Sequence, residues 1–253
     1  MVFTTSHPIK ILGTNHIAHQ SVKQINEEFD SYTPDIVAVE LDKQRFASLF
    51  SDPSLQKKAS LFSLVRQFGT VGGLFLFIGQ KMQKKLGKIV DMVPGDDMRA
   101  AVRLTQKEKK ELALIDIPIH KTIKNLSQQL TFKEKMRFIG EFLLLPFIFL
   151  GVGFISLFPK LKKRMMNKKN KHSLSLSSVP SQDTITVLLT QLKKKYPTFY
   201  KVLLDDRNRY MAKQLIILHK KNPDKKILAV VGAGHKKEIE SYISQLIHSF
   251  ESI

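Results

Sequence analysis

The sequence of 253 residues contains no cysteine. Disulfides, zinc–thiolate sites and cysteine nucleophiles are thereby excluded. Acidic residues are scarce: 22 Asp and Glu stand against 41 Lys and Arg, a formal net charge of +19. Such an excess calls for an anionic partner, whether nucleic acid, a phospholipid surface or an acidic substrate. The first residues lack the basic stretch followed by an apolar one that marks a secretory signal, so residence on the cytoplasmic side is the expectation. No solenoid-type repeat is present.

What is there suffices for a globular fold. The apolar content is 43%, ordinary for a folded protein, and the length can bury a full core. A single domain over residues 1–253 is expected, with a helical insertion at 60–182. Basic residues concentrate after an apolar stretch: seven lie between Lys160 and Lys171, with no acid among them. No aromatics are interleaved as stacking platforms for bases, so a membrane surface fits better than nucleic acid. A solvated basic loop is the competing reading.

Four short apolar runs read as strands: Ile9–Leu12, Ile36–Val39, Leu112–Ile115 and Ile227–Val231. Their near-continuous hydrophobicity predicts strands covered on both faces, as in a parallel sheet. Helical periodicity fills the gaps. Val22, Ile25 and Phe29 follow Ser21 as an N-cap, and Asp42 caps a helix carrying Phe46, Leu49 and Phe50. Pro94-Gly95-Asp96 opens a third helix with Met98, Ala101, Val102 and Thr105 on one face. Leu204, Met211, Leu215 and Leu218 mark a fourth, ended by Asn222-Pro223. The fold class is therefore α/β, a mostly parallel sheet flanked by helices.

The middle of the chain differs. Phe68–Gln80 lies in 14 uncharged residues and Phe142–Phe158 in 18, the second at the lower limit for a transmembrane helix. Pro146, Gly151 and Gly153 interrupt it, which favours a buried or interfacial helical hairpin over a span. His172–Gln182 is Ser-rich and reads as a linker.

The strand ends organise the chemistry. His16 follows the first strand through Gly13-Thr14-Asn15, Glu40 and Asp42 follow the second, and Asp116 follows the third. His235 follows the last through Gly232-Ala233-Gly234. An open parallel sheet binds ligands at the carboxyl ends of its strands. Two imidazoles with carboxylates there could hold a divalent metal or form an acid/base pair. Each residue has a structural reading as well. Glu40 could pair with Arg45, Asp42 could serve only as a cap, and the small residues at 232–234 could serve a tight strand-to-helix passage. Arg207 lies on the apolar stripe of its helix, so its guanidinium needs an acid inside the protein. The acid could belong to the His/Glu cluster or be Asp116.

Gly-Thr-Asn-His-Ile-Ala (13–18) and Pro-Asp-Ile-Val-Ala-Val-Glu-Leu-Asp (34–42) with Arg45 resemble the opening of the TraB/PrgY family. The resemblance continues through Gln80–Gly87, Pro94–Ala100, Ala113–Asp116, Arg207–Ala212 and Val230–His235, in family order from about residue 9 to 240. The family groups with Tiki proteases, erythromycin-esterase-like enzymes and ChaN-like haem binders. The resemblance implies an α/β core with His16, Glu40 and His235 as metal ligands or acid/base groups and Arg207 as a substrate or oxyanion clamp. It implies substrate contacts at Arg45, Asp97 and Asp116, and a peptide substrate. Two positions depart from the family pattern: Asp97 stands where glutamate is expected, and Ile117-Pro118 where arginine is usual.

The leading expectation is a metal-dependent peptide hydrolase using Zn²⁺, Mn²⁺ or Co²⁺. The competing one is a non-catalytic protein at an anionic membrane surface that sequesters a peptide or lipid-borne partner. Homodimerisation is compatible with either.

Overall fold

A computed structural model describes residues 8–14, 18–51, 60–90, 95–149 and 182–251. Four strands form one sheet: β1 (Ile9–Thr14), β2 (Ile36–Val39), β3 (Glu111–Leu114) and β4 (Ile227–Gly232). Each lies within two residues of its sequence expectation. The order is β1-β4-β2-β3 and every pairing is parallel. Ile9 and Ile36 both align with Ile227, one on each side of β4.

Helices cover both faces, as the unbroken apolar runs require. On one face Ile36, Ala38, Ile227, Ala229 and Val231 pack against Met211 and Leu215 of α9 (Asp206–Lys221) and Ile239 of α10 (Ala233–Glu251). On the other, Val37, Val39, Leu228 and Val230 meet Ile25 and Phe29 of α1 (Ala18–Tyr32) and Met98, Ala101 and Val102 of α4 (Asp96–Lys107). The helix α2 (Lys43–Phe50) begins as expected: Asp42 accepts hydrogen bonds from the Gln44 and Arg45 amides at 2.8 and 3.2 Å. Ser21 does not cap α1. The helix starts at Ala18, and Ser21 is buried within its first turns because its small side chain faces the core.

The element α3 (Leu61–Val90) is broken at Gly69, whose φ of 74° puts it in the left-handed region that only glycine adopts freely. The chain folds back there, and a Cβ on Gly73 would lie 2.5 Å from the Val65 amide nitrogen. The Phe68 carbonyl freed by the break accepts a 2.5 Å hydrogen bond from Ser127 in α5 (Ile119–Gln129). Leu61–Gln80, with mean hydropathy 1.6, has the length and composition to cross a membrane, though only 28% of it is buried. The corner at Gly69 interrupts it.

Met1–Gln129 with Val179–Ile253 make one compact unit, and Leu130–Ser178 make a second. In the second, α6 (Phe132–Phe149) starts with a reciprocal cap. The Thr131 amide and hydroxyl donate to Glu134, whose amide donates back to the Thr131 hydroxyl. The basic run at 160–171, the Ser-rich linker up to residue 181 and all of the apolar stretch after Phe149 lie outside the described residues. Two further helices, α7 (Gln182–Lys195) and α8 (Pro197–Tyr200), lead into a π turn at Lys201–Asp205 that joins α9 without a break.

Candidate functional site

The site lies at the carboxyl edge of the sheet. Glu40 directly follows β2 and reaches across to β4, where its Oε2 accepts the Gly232 amide at 2.7 Å. His235 is the third residue of α10, which leaves β4 without an intervening loop. The tight passage falls at Gly232-Ala233, as the small residues there permit, and Gly13 of the neighbouring strand packs against it. A Cβ on Gly13 would lie 3.2 Å from the Ala233 Cα and the Lys236 Cβ, so side chains larger than glycine would push β1 away from the head of α10.

Arg207 enters from the first turn of α9, immediately after the π turn. A π turn widens the helix by one residue and so re-aims the side chains beyond it. Asp205, at its end, accepts a hydrogen bond from Tyr242 of α10, and Arg209 lies 4.9 Å over the Tyr242 ring. These contacts fasten the head of α9 to α10.

The Arg207 guanidinium is the hub. Its Nη2 donates to Glu40 Oε1 and to Asp116 Oδ2, both at 2.5 Å, and its Nε donates to Asp116 Oδ1 at 3.1 Å. Nη1 donates to the Leu203 carbonyl at 3.2 Å and lies 3.5 Å from His235 Nε2. All five N–H groups of the fork therefore face protein acceptors. A role as oxyanion clamp requires one of these bonds to yield. The acid Arg207 finds is both of the expected ones, Glu40 and Asp116.

Arg45 does not pair with Glu40. Its Nε donates to Asp42 Oδ2 at 2.7 Å and its Nη2 to Asp116 Oδ2. β2 lies next to β3, so Asp116 after β3 comes within reach of a helix that begins after β2. Asp116 thus accepts from two arginines as well as from the Ile117 amide at 2.7 Å. Burial opposes its charge, but Arg207 and then Arg45 outweigh that and hold its pKa below the ordinary carboxylate value. Asp42 is shifted the same way, with burial opposing and Arg45 and the Gln44 amide prevailing. Burial disfavours the charge of Arg207, yet Asp116 and Glu40 raise its pKa.

Asn208 is the site residue that sequence reasoning missed. It is buried, and its Oδ1 lies 2.5 Å from His235 Nδ1. An amide oxygen only accepts, so in this assignment Nδ1 carries the proton and Nε2 presents its lone pair. Nε2 lies 3.3 Å from Glu40 Oε1. A signal was present: Asn208, Met211, Ala212 and Leu215 form one buried stripe, and a polar residue on such a stripe needs a partner.

Among the expected site residues, Glu40, Arg45, Asp116, Arg207 and His235 converge. Asp97 is held elsewhere: it is buried in the first turn of α4 and accepts a 2.6 Å hydrogen bond from Thr14 at the end of β1. His16 lies outside the described residues.

For a metal, the donor types fit. Nε2 of His235 and Oε1 of Glu40, at 3.3 Å, are spaced as two neighbouring ligands of one ion at roughly 2.1 Å from each. Asn208 supplies the outer hydrogen bond that metal-binding imidazoles have. Among the described residues no three His, Asp or Glu side chains form a metal-holding group.

The family model for TraB/PrgY/gumN matches residues 2–249. An uncharacterised protein of Methanocaldococcus jannaschii is 30% identical over 94% of this chain and 54% of its own length. A human TraB domain-containing protein is 24% identical over 92% of this chain and 61% of its own length, and its mouse counterpart is 23% identical over the same shares. The chain thus spans between half and two thirds of the relatives it matches. The pattern of strand-end residues and the match over nearly the whole sequence agree: the chain belongs to the TraB/PrgY/gumN family.

Proposed function

We propose that the protein is a hydrolase of peptide bonds, related in chemistry to Tiki-type peptidases, with Glu40 and His235 as its working pair. The observation that supports this reading is the meeting of Glu40, Arg207 and His235, from three distant segments, beside an imidazole whose outer nitrogen is fixed by Asn208.

The residues divide the labour. His235 Nε2, held as the proton acceptor, takes a proton from water, and the oxygen of that water bonds to the scissile carbonyl carbon. As the C–N bond breaks, Nε2–H returns the proton to the leaving amine. Glu40, 3.3 Å away, faces the positive charge of the imidazolium in between, and Arg207 holds Glu40 in place. As the alternative to that proton transfer, a divalent ion held by His235, Glu40 and His16 would take up the Nε2 lone pair and would itself supply Lewis-acid polarisation and a more acidic water. Imidazole and carboxylate accept Zn²⁺, Mn²⁺ and Co²⁺ alike.

The test is a mixed peptide library incubated with the protein, with each of these ions and with chelator, and read by mass spectrometry. Cleavage that H235A and E40Q each abolish is expected. Wild-type protein without cleavage under every ion, or cleavage undiminished in both variants, would overturn the proposal. Calorimetry with Zn²⁺ or Mn²⁺ on H235A separates loss of metal from loss of chemistry.

A further inference from the structure

We propose that Tyr242 is a positioning residue of the site, which acts on Arg207 by fixing the place of the π turn at Lys201–Asp205. Its consequence for turnover rests on the hydrolase reading; its geometry does not. The Asp206 amide donates to the Lys201 carbonyl, five residues back, so the turn holds one residue more than an α turn. The core pins the helix on both sides of it. Phe199 is buried before the turn, with its ring 5.7 Å from that of Phe75 and 5.4 Å from that of Tyr196. Met211 and Leu215 are buried after it. The extra residue must lie between these anchors, but their packing does not say where. Were it to slip past Arg207, that side chain would turn by about 100° around the axis and leave its carboxylates.

Side-chain ties at the two ends of the turn fix the place. At its start, Lys201 Nζ donates to Gln129 at the end of α5 and to both carboxylate oxygens of Asp206, each at 3.1 Å. Lys201 is half-exposed, and an ion pair so placed holds little. At its end, Asp205 accepts from the Tyr242 hydroxyl through Oδ1 and from Arg209 Nε through Oδ2 at 3.3 Å. Arg209 is mostly exposed, whereas Tyr242 is partly buried against the core. Tyr242 is therefore the firm tie. It stands on α10 seven residues after His235, which is roughly two turns along nearly the same face. The turn that aims Arg207 and Asn208 is thus referred to the helix that carries their imidazole partner. Arg207 Nη1 lies 3.5 Å from His235 Nε2, and Asn208 Oδ1 lies 2.5 Å from Nδ1.

Tyr242→Phe removes the hydroxyl and keeps the ring beneath Arg209. Nuclear magnetic resonance of the full, nitrogen-labelled chain reads the result. In Y242F the Arg207 Nε–H proton should exchange with water roughly tenfold faster, the effect of losing one hydrogen bond to a carboxylate. The ring nitrogen shifts of His235 should move with it, while the backbone amides of β4 exchange as in wild type. Ser244→Ala, which removes an exposed hydroxyl from the same helix, should change none of these. Arg207 exchange and His235 shifts equal to wild type in Y242F would overturn the proposal. So would a rise shared equally by the β4 amides, because it describes loss of stability throughout. With a peptide that the wild-type protein cleaves, Y242F should lower kcat roughly tenfold and leave KM nearly unchanged, the mark of lost positioning. An unchanged kcat would overturn the proposal. A wild-type protein that cleaves no peptide overturns the hydrolase reading alone, and the exchange and shift measurements still decide the role of Tyr242.

Discussion

Arg207 and Asp116 meet as a two-pronged pair, Nε on Oδ1 at 3.1 Å and Nη2 on Oδ2 at 2.5 Å. The Asp116 side chain is fully buried and that of Arg207 is 16% exposed. Removing one member of such a pair strands the other's charge and costs about 3 to 5 kcal/mol. Asp116→Ala would leave Arg207 with Glu40 alone and Arg45 with Asp42 alone, so it should lower the unfolding free energy by about 3 kcal/mol in urea titration. A midpoint equal to wild type would show that the arginines find water or another acid without loss.

The same carboxylate sets an acid limit. Its folded pKa lies below the value of 3.8 expected when unfolded. Between the two, the unfolded state binds more protons, so stability rises with pH. The contribution is fully present above 3.8 and disappears as pH falls through the folded value; Asp42 acts in the same direction. Urea midpoints should therefore be level near neutrality and fall steeply below about pH 4. In Asp116→Asn that fall should be shallower. An identical fall would assign the acid limit to other groups.

Asn208 should matter to function as well as to folding. Without its oxygen, the His235 ring is free to rotate or to move its proton to Nε2. Asn208→Ala should reduce metal affinity or turnover roughly 10- to 100-fold, the usual effect of losing an outer-sphere partner. The stability loss should be about 1 to 3 kcal/mol, from a buried N–H left unpaired. Asn208→Asp keeps the acceptor and should recover much of the loss. Nitrogen chemical shifts of His235 would show the proton on Nδ1 in wild type and redistributed in Asn208→Ala.

The hairpin in α3 gives a contrast between two glycines. At Gly73 an added methyl would lie 2.5 Å from the Val65 amide nitrogen and 2.8 Å from the Leu64 carbonyl carbon. Gly73→Ala should cost about 1 to 3 kcal/mol through overpacking. At Gly79 nothing lies within 4 Å of the new methyl. Gly79→Ala should be neutral or stabilise by up to about 1 kcal/mol, because alanine is the better helix former. Paired thermal melts decide it, and equal effects at the two sites would contradict the hairpin.

Much of this fold is legible in the sequence because burial on both faces writes strands as unbroken apolar runs. The bounds of β2 coincide with its apolar run, and Asp42 and Asp116 stand out because polar groups end such runs. What is not legible depends on which strands are neighbours. Glu40 has Arg45 five residues away as an obvious partner, but the partner of Arg45 across the sheet is Asp116, which only the β2–β3 adjacency brings near. Asn208 escapes notice because the charge of Arg207 draws attention away from the buried stripe beside it. Ser21 resembles a cap because serine caps often, yet α1 begins three residues earlier. The corner at Gly69 is invisible because a glycine in an apolar helix looks the same whether the helix continues or folds back.

The strand order has a consequence for how the molecule comes into being. β4, the last of the described strands in chain order, is the one to which β1 and β2 both bond, and β1 has no other neighbour in the described sheet. Until the ribosome has made the segment that carries β4, β1 must wait without a partner and Glu40 without Gly232 or His235. The sheet and the site therefore close together, in one event that awaits β4. Whatever chemistry this edge performs is by this arrangement withheld until β4 has been made and paired, and its long-range closure makes slow folding the natural cost.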